Sequence, residues 1–293
     1  MARDVLGERM KEFYEYIPKT KLMRRTPVAI RIDGKAFHTF TKGFQKPFDK
    51  ILIKSMQKTM KYLCENIQGC VLGYTQSDEI TLILVDYKKL NSAAWFDYKV
   101  QKMCSVAASM ATMAFNKIFA EEVNVYKFKC YRSLVSVEAQ QEQQRYMEVL
   151  CKAVKKGAMF DARVFNIPKE EVTNLIYWRQ VDATRNSIQM VGQANFSQKE
   201  LQNKSCDMIQ DMLFTQKGIN WNDLPTTLKR GSCCIKISEP EIEYENGMIS
   251  GVSHMRTRWV IDNDIPIFKG EDREYVEKLI NFKEEQNGKE NNE

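Results

Sequence analysis

The sequence has few of the residue patterns that stabilise small domains through a structural metal ion or disulfide bonds. It has only two histidines in 293 residues, and its eight cysteines include no Cys-x-x-Cys pair. Structural zinc sites combine closely spaced cysteines with further cysteine or histidine ligands, so this composition disfavours one. The scattered cysteines are typical of reduced and mostly buried thiols.

Proline and glycine are also scarce, with 7 and 13 residues. Together with 43% hydrophobic and 28% charged residues, this excludes a fibrous or wholly disordered chain. The length suits one large domain or two ordinary ones. We find no internal repeat or low-complexity linker that would mark a boundary between them.

Long apolar runs are missing as well. The first residues mix both charge signs and contain no apolar core of a signal peptide. No later segment reaches the roughly 20 apolar residues that a membrane span needs. The sequence therefore predicts a cytoplasmic protein with no membrane partner.

Charge is distributed unevenly along the chain, whose formal net charge is +6. Residues 1–200 contain 32 Lys and Arg against 21 Asp and Glu, whereas residues 201–293 contain 12 against 17. An excess of positive charge in the first two-thirds favours an anionic partner there, such as a nucleotide or a nucleic acid.

Hydrophobic periodicity predicts an α+β fold. Predicted helices cover 6–16, 49–66, 95–119, 169–193 and 198–217, and predicted strands cover 28–32, a hairpin at 71–85, 158–166, 233–238 and 252–260. The order of strand, helix, hairpin, helix and strand is that of a ferredoxin-like sheet, as in a polymerase palm. Residues 138–156, dense in Gln, Glu and Lys, are interpreted as a solvated helical insertion.

We divide the chain into three parts on this basis. Residues 1–167 form the palm-like catalytic core, residues 168–265 form helices and strands packed on it, and residues 266–293 end in a polar tail. The tail, from Lys283 onward, is expected to be disordered.

Three carboxylates carry the strongest chemical signal. Asp33 follows the first predicted strand, and Asp78 and Glu79 lie in the turn of the predicted hairpin. If the strand and the hairpin are neighbours, these side chains converge at one edge of the sheet. Shared carboxylates that hold two Mg²⁺ ions are the usual apparatus of phosphoryl and nucleotidyl transfer. Each motif alone is also a common turn composition.

Positive and backbone groups surround these carboxylates in the sequence. The turn Gly34–His38 offers backbone N–H groups for a triphosphate. Lys46–Asp49 leads into a predicted helix whose N-terminus favours anions. Lys99 and Lys102, on the helix after the hairpin, would add further positive charge.

Five ordered motifs together resemble those of the tRNA-His guanylyltransferase family. They are Arg31–His38, Lys46–Asp49, Gln76–Glu79, Phe160–Arg163 and Trp178–Asp182. The match runs in the family's order over roughly residues 5–265. It most resembles the bacterial and viral guanylyltransferase-like proteins, which are 3′–5′ RNA polymerases.

The resemblance implies a role for each matching residue. Asp33, Asp78 and Glu79 would be catalytic, with Asp33, Asp78 and the Gly34 carbonyl as metal ligands. The nucleotide would be bound by Gly34, Lys35, Ala36, Phe37, His38, Lys46, Asp49, Ser77, Lys99 and Lys102. The RNA would be bound by Arg24, Arg25, Arg163, Arg179, Arg185 and Asn186.

The implied activity is a Mg²⁺-dependent tRNA nucleotidyltransferase that extends RNA at its 5′ end. ATP or GTP would activate a 5′-monophosphate, and the 3′-hydroxyl of an incoming nucleoside triphosphate would then attack the activated end. The family also implies two Mg²⁺ ions, a tRNA partner and a homotetramer built as a dimer of dimers.

One motif departs from the family. Eukaryotic members continue after Trp-Arg-Gln-x-Asp with Cys-His-Ile-Asn-Asn, associated with the histidine anticodon, whereas this chain has Ala183-Thr184-Arg185-Asn186-Ser187. The change argues against strict selection of tRNA-His. It favours template-directed repair of 5′-truncated tRNAs, in which base pairing chooses the nucleotide and the protein reads shape and backbone.

Two other functions remain open at this point. A palm-fold nucleotide cyclase uses a similar set of carboxylates, although diguanylate cyclases carry Gly-Gly-Asp-Glu-Phe where this chain has Gln76–Ile80. A non-catalytic tRNA-binding protein is the other alternative. Clustered carboxylates repel one another, so a silent protein has no reason to keep Asp33, Asp78 and Glu79.

Overall fold

The computed structural model describes residues 5–132, 136–245 and 248–282, with side chains left undescribed for residues 241–254. The predicted disordered tail from Lys283 onward lies outside these ranges. The described chain contains one six-stranded sheet in the order β4-β1-β3-β2-β5-β6, and every neighbouring pair is antiparallel. The strands are β1 Val28–Gly34, β2 Cys70–Gln76, β3 Glu79–Leu84, β4 Phe160–Asn166, β5 Ser232–Glu245 and β6 Met248–Asp262.

The helices fill the connections between these strands. The α-helices are α1 Val5–Met10, α2 Phe37–Phe40, α3 Lys50–Asn66, α4 Val100–Arg132, α5 Val137–Lys156, α6 Lys169–Asn195, α7 Gln198–Leu201, α8 Cys206–Lys217, α9 Thr226–Arg230 and α10 Glu274–Ile280. The first four strands and their crossover helices form the predicted ferredoxin-like palm. β5 pairs with β2, so the chain after residue 167 extends the same sheet.

Alternating side chains of β1 separate two cores. Val28, Ile30 and Ile32 are fully buried on the face covered by α3 and α4. Ala29 lies on the opposite face, where the first half of α6 and α10 pack. Because side chains alternate along a strand, Arg31 and Asp33 share the face of Ala29. Apolar burial thus fixes the direction in which the polar residues of β1 point.

Several predicted boundaries differ from the structure. The predicted helix over 6–16 is α1 followed by a π-helical turn over Lys11–Glu15, and the predicted helix over 198–217 is divided into α7 and α8. A capping box at Ser197 begins α7, and Ser205 caps α8, so two consecutive N-caps split the segment. The last two strands are longer than predicted because they pair with each other beyond the sheet.

The interpretation of residues 138–156 as solvated is wrong for one face. α5 is a helix, but Tyr146, Leu150 and Ala153 are buried against α4. Their spacing of four and three residues places them on a single stripe, which packs while the Gln and Lys residues stay exposed.

α4 is the one helix in the described ranges with the length and apolar composition that a membrane span also has. Its apolar residues have another explanation, because Met103, Ala107, Ala111, Phe115 and Phe119 form the buried stripe that packs on α3 and the sheet. Such a composition is also typical of a core helix.

Asp49 is a structural residue in this fold. It is buried at the N-cap of α3, where its carboxylate accepts hydrogen bonds from the N–H groups of Ile51 (3.0 Å) and Leu52 (2.9 Å). The hydroxyl of Tyr146 donates to the same carboxylate over 2.5 Å, and the Gln45 N–H donates over 3.1 Å. Protein donors thus contact both oxygens of Asp49, which also lines the larger pocket described below, and its nucleotide-binding role stays a prediction.

We expect Asp49→Ala to destabilise the protein by about 2–4 kcal/mol. The change removes an N-cap, at about 1 kcal/mol, and leaves a buried Tyr146 hydroxyl without its acceptor, at about 1–3 kcal/mol. Urea unfolding followed by circular dichroism measures the loss, and Tyr146→Phe should reproduce only part of it. Unchanged stability together with a raised KM for nucleotide would instead support the nucleotide-binding role.

Candidate active site

The pairing of β1 with β3 brings the predicted carboxylates together. Asp33 lies directly opposite Glu79 in the register, and the Gly34 N–H donates to the carbonyl of Asp78 over 3.1 Å. Ser77 adopts a left-handed conformation (φ 55°), which makes the tight turn between β2 and β3. The predicted convergence at one sheet edge is confirmed.

The two carboxylates of the turn have different electrostatic surroundings. Burial raises the pKa of Asp78; the hydroxyl of Ser77, which donates over 3.0 Å, opposes the shift, and the charge of Asp33 adds to it. Burial also raises the pKa of Glu79, but the guanidinium groups of Arg179 and Arg31 counteract it. Asp78 thus has no cationic partner among the described residues, whereas Glu79 has two.

An ion-pair network surrounds Glu79. Its Oε1 lies 2.7 Å from Nε of Arg179 and 3.4 Å from Nε of Arg31, and Arg179 also pairs with Asp182 over 2.8 Å. Arg31 was not among the predicted site residues, although its position two residues before Asp33 on the same strand face was the available signal. The guanidinium of Arg179 connects α6 to the hairpin turn, and the RNA-binding role of this residue stays a prediction.

Trp178 and Trp221 have different surroundings in the structure. Trp178 is 52% exposed, and the guanidinium groups of Arg179 and Arg31 lie 4.3 and 5.6 Å from its ring centroid. Trp221 is buried and donates its Nε1–H to the hydroxyl of Ser187 over 3.0 Å. Trp221 is therefore part of the core, whereas Trp178 is not.

Two pockets meet at the carboxylates and share Asp33, Ser77 and Asp78. The polar one has a volume of about 200 Å³ and lies between the hairpin turn and α6. Its other lining residues are Tyr74, Gln76, Glu79, Arg179, Asp182 and Asn186. The larger one, of about 510 Å³, lies toward α3 and is lined by the turn after β1 and the Lys46–Asp49 segment.

The turn after β1 is shaped by the packing of Phe37. A Cβ on Gly34 would lie 2.2 Å from Cδ2 of Phe37, so only glycine allows this approach. Phe37 is itself held by the rings of Phe40, Phe115 and Phe160. Its role is therefore to hold the turn by packing, and it can bind a ligand through its backbone alone.

Other residues of the turn face the larger pocket. Ala36 adopts a left-handed conformation (φ 53°) at the start of α2. His38 is exposed, and its Nε2 lies 3.0 Å from the Thr39 hydroxyl. Lys35 is exposed too, with its N–H bonded to the carbonyl of Met159, and only Lys46 adds a cation to the pocket lining.

The donor set is suited to Mg²⁺. This ion binds one or two carboxylates and completes its shell with phosphate oxygens and water. Asp33 and Asp78 supply two carboxylates in one pocket, and Asp78 has no cation of its own. In the described part of the chain, no three His, Cys, Asp or Glu side chains form a metal-binding group by themselves. Phosphates and water would therefore supply the remaining ligands.

Lys99 and Lys102 are not brought to the carboxylates within one chain. α4 begins at Val100, near the end of β3 that is farther from Asp78. The backbone of Lys99 forms an isolated antiparallel β-bridge with that of Lys21. Asn116 of α4 contacts Ala158, close to the sheet edge that carries Asp33 and Asp78. Fourteen residues separate it from Lys102, which places that lysine about 20 Å further along the helix. The spacing of Lys99 and Lys102 predicted that they share one face of a helix, but it could not predict whether that helix runs toward the carboxylates or away from them.

Arg24 and Arg25 also lie at the far end of β1. Nε of Arg24 is 2.6 Å from Oδ2 of Asp86, which is 1% exposed, and the Arg25 N–H donates to the other carboxylate oxygen over 2.8 Å. Arg24 thus has the structural role of neutralising Asp86. Arg163 lies on β4 opposite Arg31 and is exposed, 3.7 Å from Asp161.

The divergent segment of α6 combines structural and exposed residues. Ala183 and Ser187 are buried, whereas Arg185 and Asn186 are exposed. Asn186 lines the polar pocket with Asp33 and Asp78, while Arg185 does not line it. Of the two residues predicted to bind RNA in this segment, only Asn186 therefore adjoins the carboxylates.

The chain has recognisable relatives. The family model described as tRNAHis guanylyltransferase matches residues 7–168. A bacterial tRNA(His) guanylyltransferase-like protein in complex with ATP is 41% identical, with a TM-score of 0.74, covering 95% of this chain and all of that one. A second such structure, in complex with GTP, is 39% identical, with a TM-score of 0.69 and coverage of 94% and 99%. The tRNA(His) guanylyltransferase of Saccharomyces cerevisiae is 26% identical over 72% of this chain and 83% of its own length. The chain belongs to the tRNAHis guanylyltransferase family.

Proposed function

We propose that this protein is a tRNA nucleotidyltransferase that adds nucleotides to the 5′ end of tRNA in the 3′–5′ direction, with template-directed 5′-end repair as its main activity. The observation that carries the proposal is the position of Asp33 and Asp78 where two pockets meet. One pocket can take a nucleoside triphosphate while the other takes the RNA end. Family membership and relatives bound to ATP and GTP support this assignment.

Asp33, Asp78 and the Gly34 carbonyl are the groups that would hold two Mg²⁺ ions. Bound Mg²⁺ would neutralise charge on the phosphates and lower the pKa of an attacking hydroxyl. Asp78 suits this role because its charge is partly buried without a cationic partner. Glu79, already paired with Arg179 and Arg31, acts instead by positioning the turn that carries Asp78.

The larger pocket is the proposed triphosphate site. Within the described residues, the N–H groups of Ala36, Phe37 and His38 have no acceptor, so they are available to phosphate oxygens. Lys46 and the exposed Lys35 add positive charge, and Ser77 lies between the two pockets. On the other side, Asn186 and Arg179 line the smaller pocket, where the RNA 5′ end would lie.

The reaction follows two displacements at phosphorus. An oxygen of the RNA 5′-monophosphate first attacks the α-phosphorus of ATP or GTP, and pyrophosphate leaves. The 3′-hydroxyl of the incoming nucleoside triphosphate then attacks the RNA 5′-phosphorus, and AMP or GMP leaves. An RNA with a 5′-triphosphate needs only the second step, in which pyrophosphate leaves instead of AMP or GMP, and one pair of carboxylates serves both steps.

Two finer features complete the proposal. Pairing with the opposite RNA strand would choose each nucleotide, since Ala183–Ser187 lacks the eukaryotic histidine and second asparagine.

The family resemblance also implies a homotetramer built as a dimer of dimers. A tetramer would allow Lys99 and Lys102 of one copy to approach the site of another, and light scattering on the purified protein measures the assembly.

Stepwise growth of a 5′-labelled tRNA lacking its first nucleotide, with Mg²⁺ and nucleoside triphosphates, is the expected activity. Asp33→Ala and Asp78→Ala should lower the rate at least roughly a thousandfold, equivalent to about 4 kcal/mol of transition-state stabilisation. Asp161→Ala is the matched control, because Asp161 lies opposite Asp33 on β4 but is exposed. Growth that survives both catalytic changes would refute the assigned site.

Asp78→Asn should melt at a higher temperature than the wild type in EDTA at pH 7. Because the folded-state pKa of Asp78 is raised, its ionised form costs stability at pH values above that pKa, and the cost disappears below the unfolded-state pKa. The amide removes this cost. Adding millimolar Mg²⁺ should raise the melting temperature of the wild type more than that of the variant, since an ion that binds only the folded state stabilises it. A lower melting temperature of the variant in EDTA would contradict the assigned electrostatics.

Rates on tRNA-His and on other 5′-truncated tRNAs should differ little. The expectation comes from the missing histidine and asparagine in Ala183–Ser187. Single-turnover rates on matched transcripts with different anticodons test it. A roughly hundredfold preference for tRNA-His, or about 3 kcal/mol, would contradict it.

A further inference from the structure

A wide groove at the end of α6 is not explained by the site described above. Its volume is about 880 Å³, larger than either pocket at the carboxylates. It lies among the last turns of α6, the short helix α7 and the segment before α8. The lining residues are Lys46, Gln189, Gln193, Phe196, Gln198, Lys199, Leu201, Gln202, Lys204 and Ile209.

The groove is rich in hydrogen-bond donors and contains no acidic lining residue. Lys46, Lys199 and Lys204 are exposed, and none forms an ion pair with another described residue. The four glutamine amides of the lining are exposed as well, without a side-chain partner in those ranges. The neighbouring Glu200 is occupied, because its Oε2 accepts hydrogen bonds from the Ser197 hydroxyl (2.6 Å) and N–H (2.7 Å). Ammonium and amide donors in this arrangement match the oxygens of phosphate and ribose.

The wall of the groove is rigid. An apolar cluster of Ile188, Val191, Phe196, Ile209, Leu213 and Trp221 joins α6 to α8 beneath it. A Cβ on Gly192 would lie 2.8 Å from Cγ2 of Ile209, so the two helices are in close contact. Gln189 and Gln193 of α6 therefore project from a packed surface, which reduces the entropy lost on binding.

The groove is continuous with the catalytic pocket. Lys46 lines both, and the next residues of its segment are anchored because Phe48 packs on the apolar cluster. On α6, Met190 lines the pocket at Asp33 and Asp78, while its neighbour Gln189 lines the groove. The larger pocket is the proposed triphosphate site, so the strand that would continue from it into the groove is the opposite RNA strand, which pairs with the incoming nucleotide.

We propose that this groove binds the phosphodiester backbone of the RNA substrate beyond its reacting end. This inference rests on the proposed function, and it adds a surface remote from the reacting atoms. RNA is favoured over an acidic peptide by the continuity with the nucleotide pocket and by the mixture of amides with cations, since amides also bond ribose hydroxyls. Phe196, the aromatic residue of the lining, is buried, so the groove reads the backbone rather than the bases.

The first test compares Lys199→Gln/Lys204→Gln with the wild type in binding a 5′-monophosphorylated tRNA that lacks its first nucleotide. Fluorescence anisotropy at several salt concentrations gives the affinity and its salt dependence. The double variant should bind more weakly, and the slope of log K against log [salt] should become shallower by about 1.4–1.8, the value for two lost phosphate contacts. The KM for ATP in 5′ extension should not change.

The second variant and the control distinguish the groove from general charge. Gln193→Ala/Gln202→Ala should weaken binding without changing the salt slope, because amides release no counterions. Lys152→Gln/Lys155→Gln is the matched control, with two exposed lysines removed from α5. It should leave affinity nearly unchanged.

Several outcomes would overturn the inference. They are an absence of RNA binding by the wild type, an unchanged salt slope in Lys199→Gln/Lys204→Gln, or an equal loss of RNA affinity in the control variant. The inference would also be overturned if Lys199→Gln/Lys204→Gln lost binding to polyglutamate, an acidic peptide, but kept its binding to RNA. Binding needs no turnover, so the groove is tested even if the wild type extends no RNA. A wild type that binds RNA but does not extend it would refute the proposed function and leave the groove proposal standing.

Discussion

The antiparallel pairing of β1 with β3 is the constraint on which the site depends. It sets Asp33 against Glu79 and uses the Gly34 N–H to hold the carbonyl of Asp78. A slip of one residue would turn Asp33 to the opposite face of the sheet. The fully buried Val28, Ile30 and Ile32 prevent it, because the same slip would remove them from the core that they form with α3 and α4. The hydrophobic core therefore fixes the geometry of the polar edge.

Charge compensation separates the proposed metal ligand from other sequestered carboxylates. Asp86 is paired with Arg24, Glu122 is paired with Lys54 and Lys58, and Asp49 accepts four hydrogen bonds from the protein. Each is satisfied by its own chain. Asp78 accepts hydrogen bonds from the Ser77 hydroxyl and from its own backbone N–H, but its charged neighbour is the negative Asp33 and it has no cationic partner among the described residues. Among these four carboxylates, Asp78 is therefore the one least compensated by the described residues, and a cation from solution would relieve its deficit of positive charge.

The palm-like core and the convergence of Asp33 with Asp78 were predictable from the sequence, because period-two patterns and turn residues specify where strands end. The spacing of residues along a helix does not encode the direction in which the helix runs. Lys102 was therefore predicted at the site, although its position on α4 places it far from the carboxylates. The role of Asp49 was missed for another reason. Its structural role depends on the hydrogen bond from Tyr146, and the whole of α5 was predicted to be solvated because Gln, Glu and Lys outnumber the apolar residues of its buried stripe.

The sheet order has a consequence for the folding of the chain during synthesis. β1 lies between β3 and β4, and the Met23 N–H bonds to Asn166, 143 residues later. While residues 85–166 are being made, β1 has no partner on one side, for roughly 4–16 seconds at about 5–20 residues per second. An apolar strand with an open edge is a template for aggregation. The strand that carries Asp33 is therefore the part of the nascent chain most in need of shielding until β4 emerges.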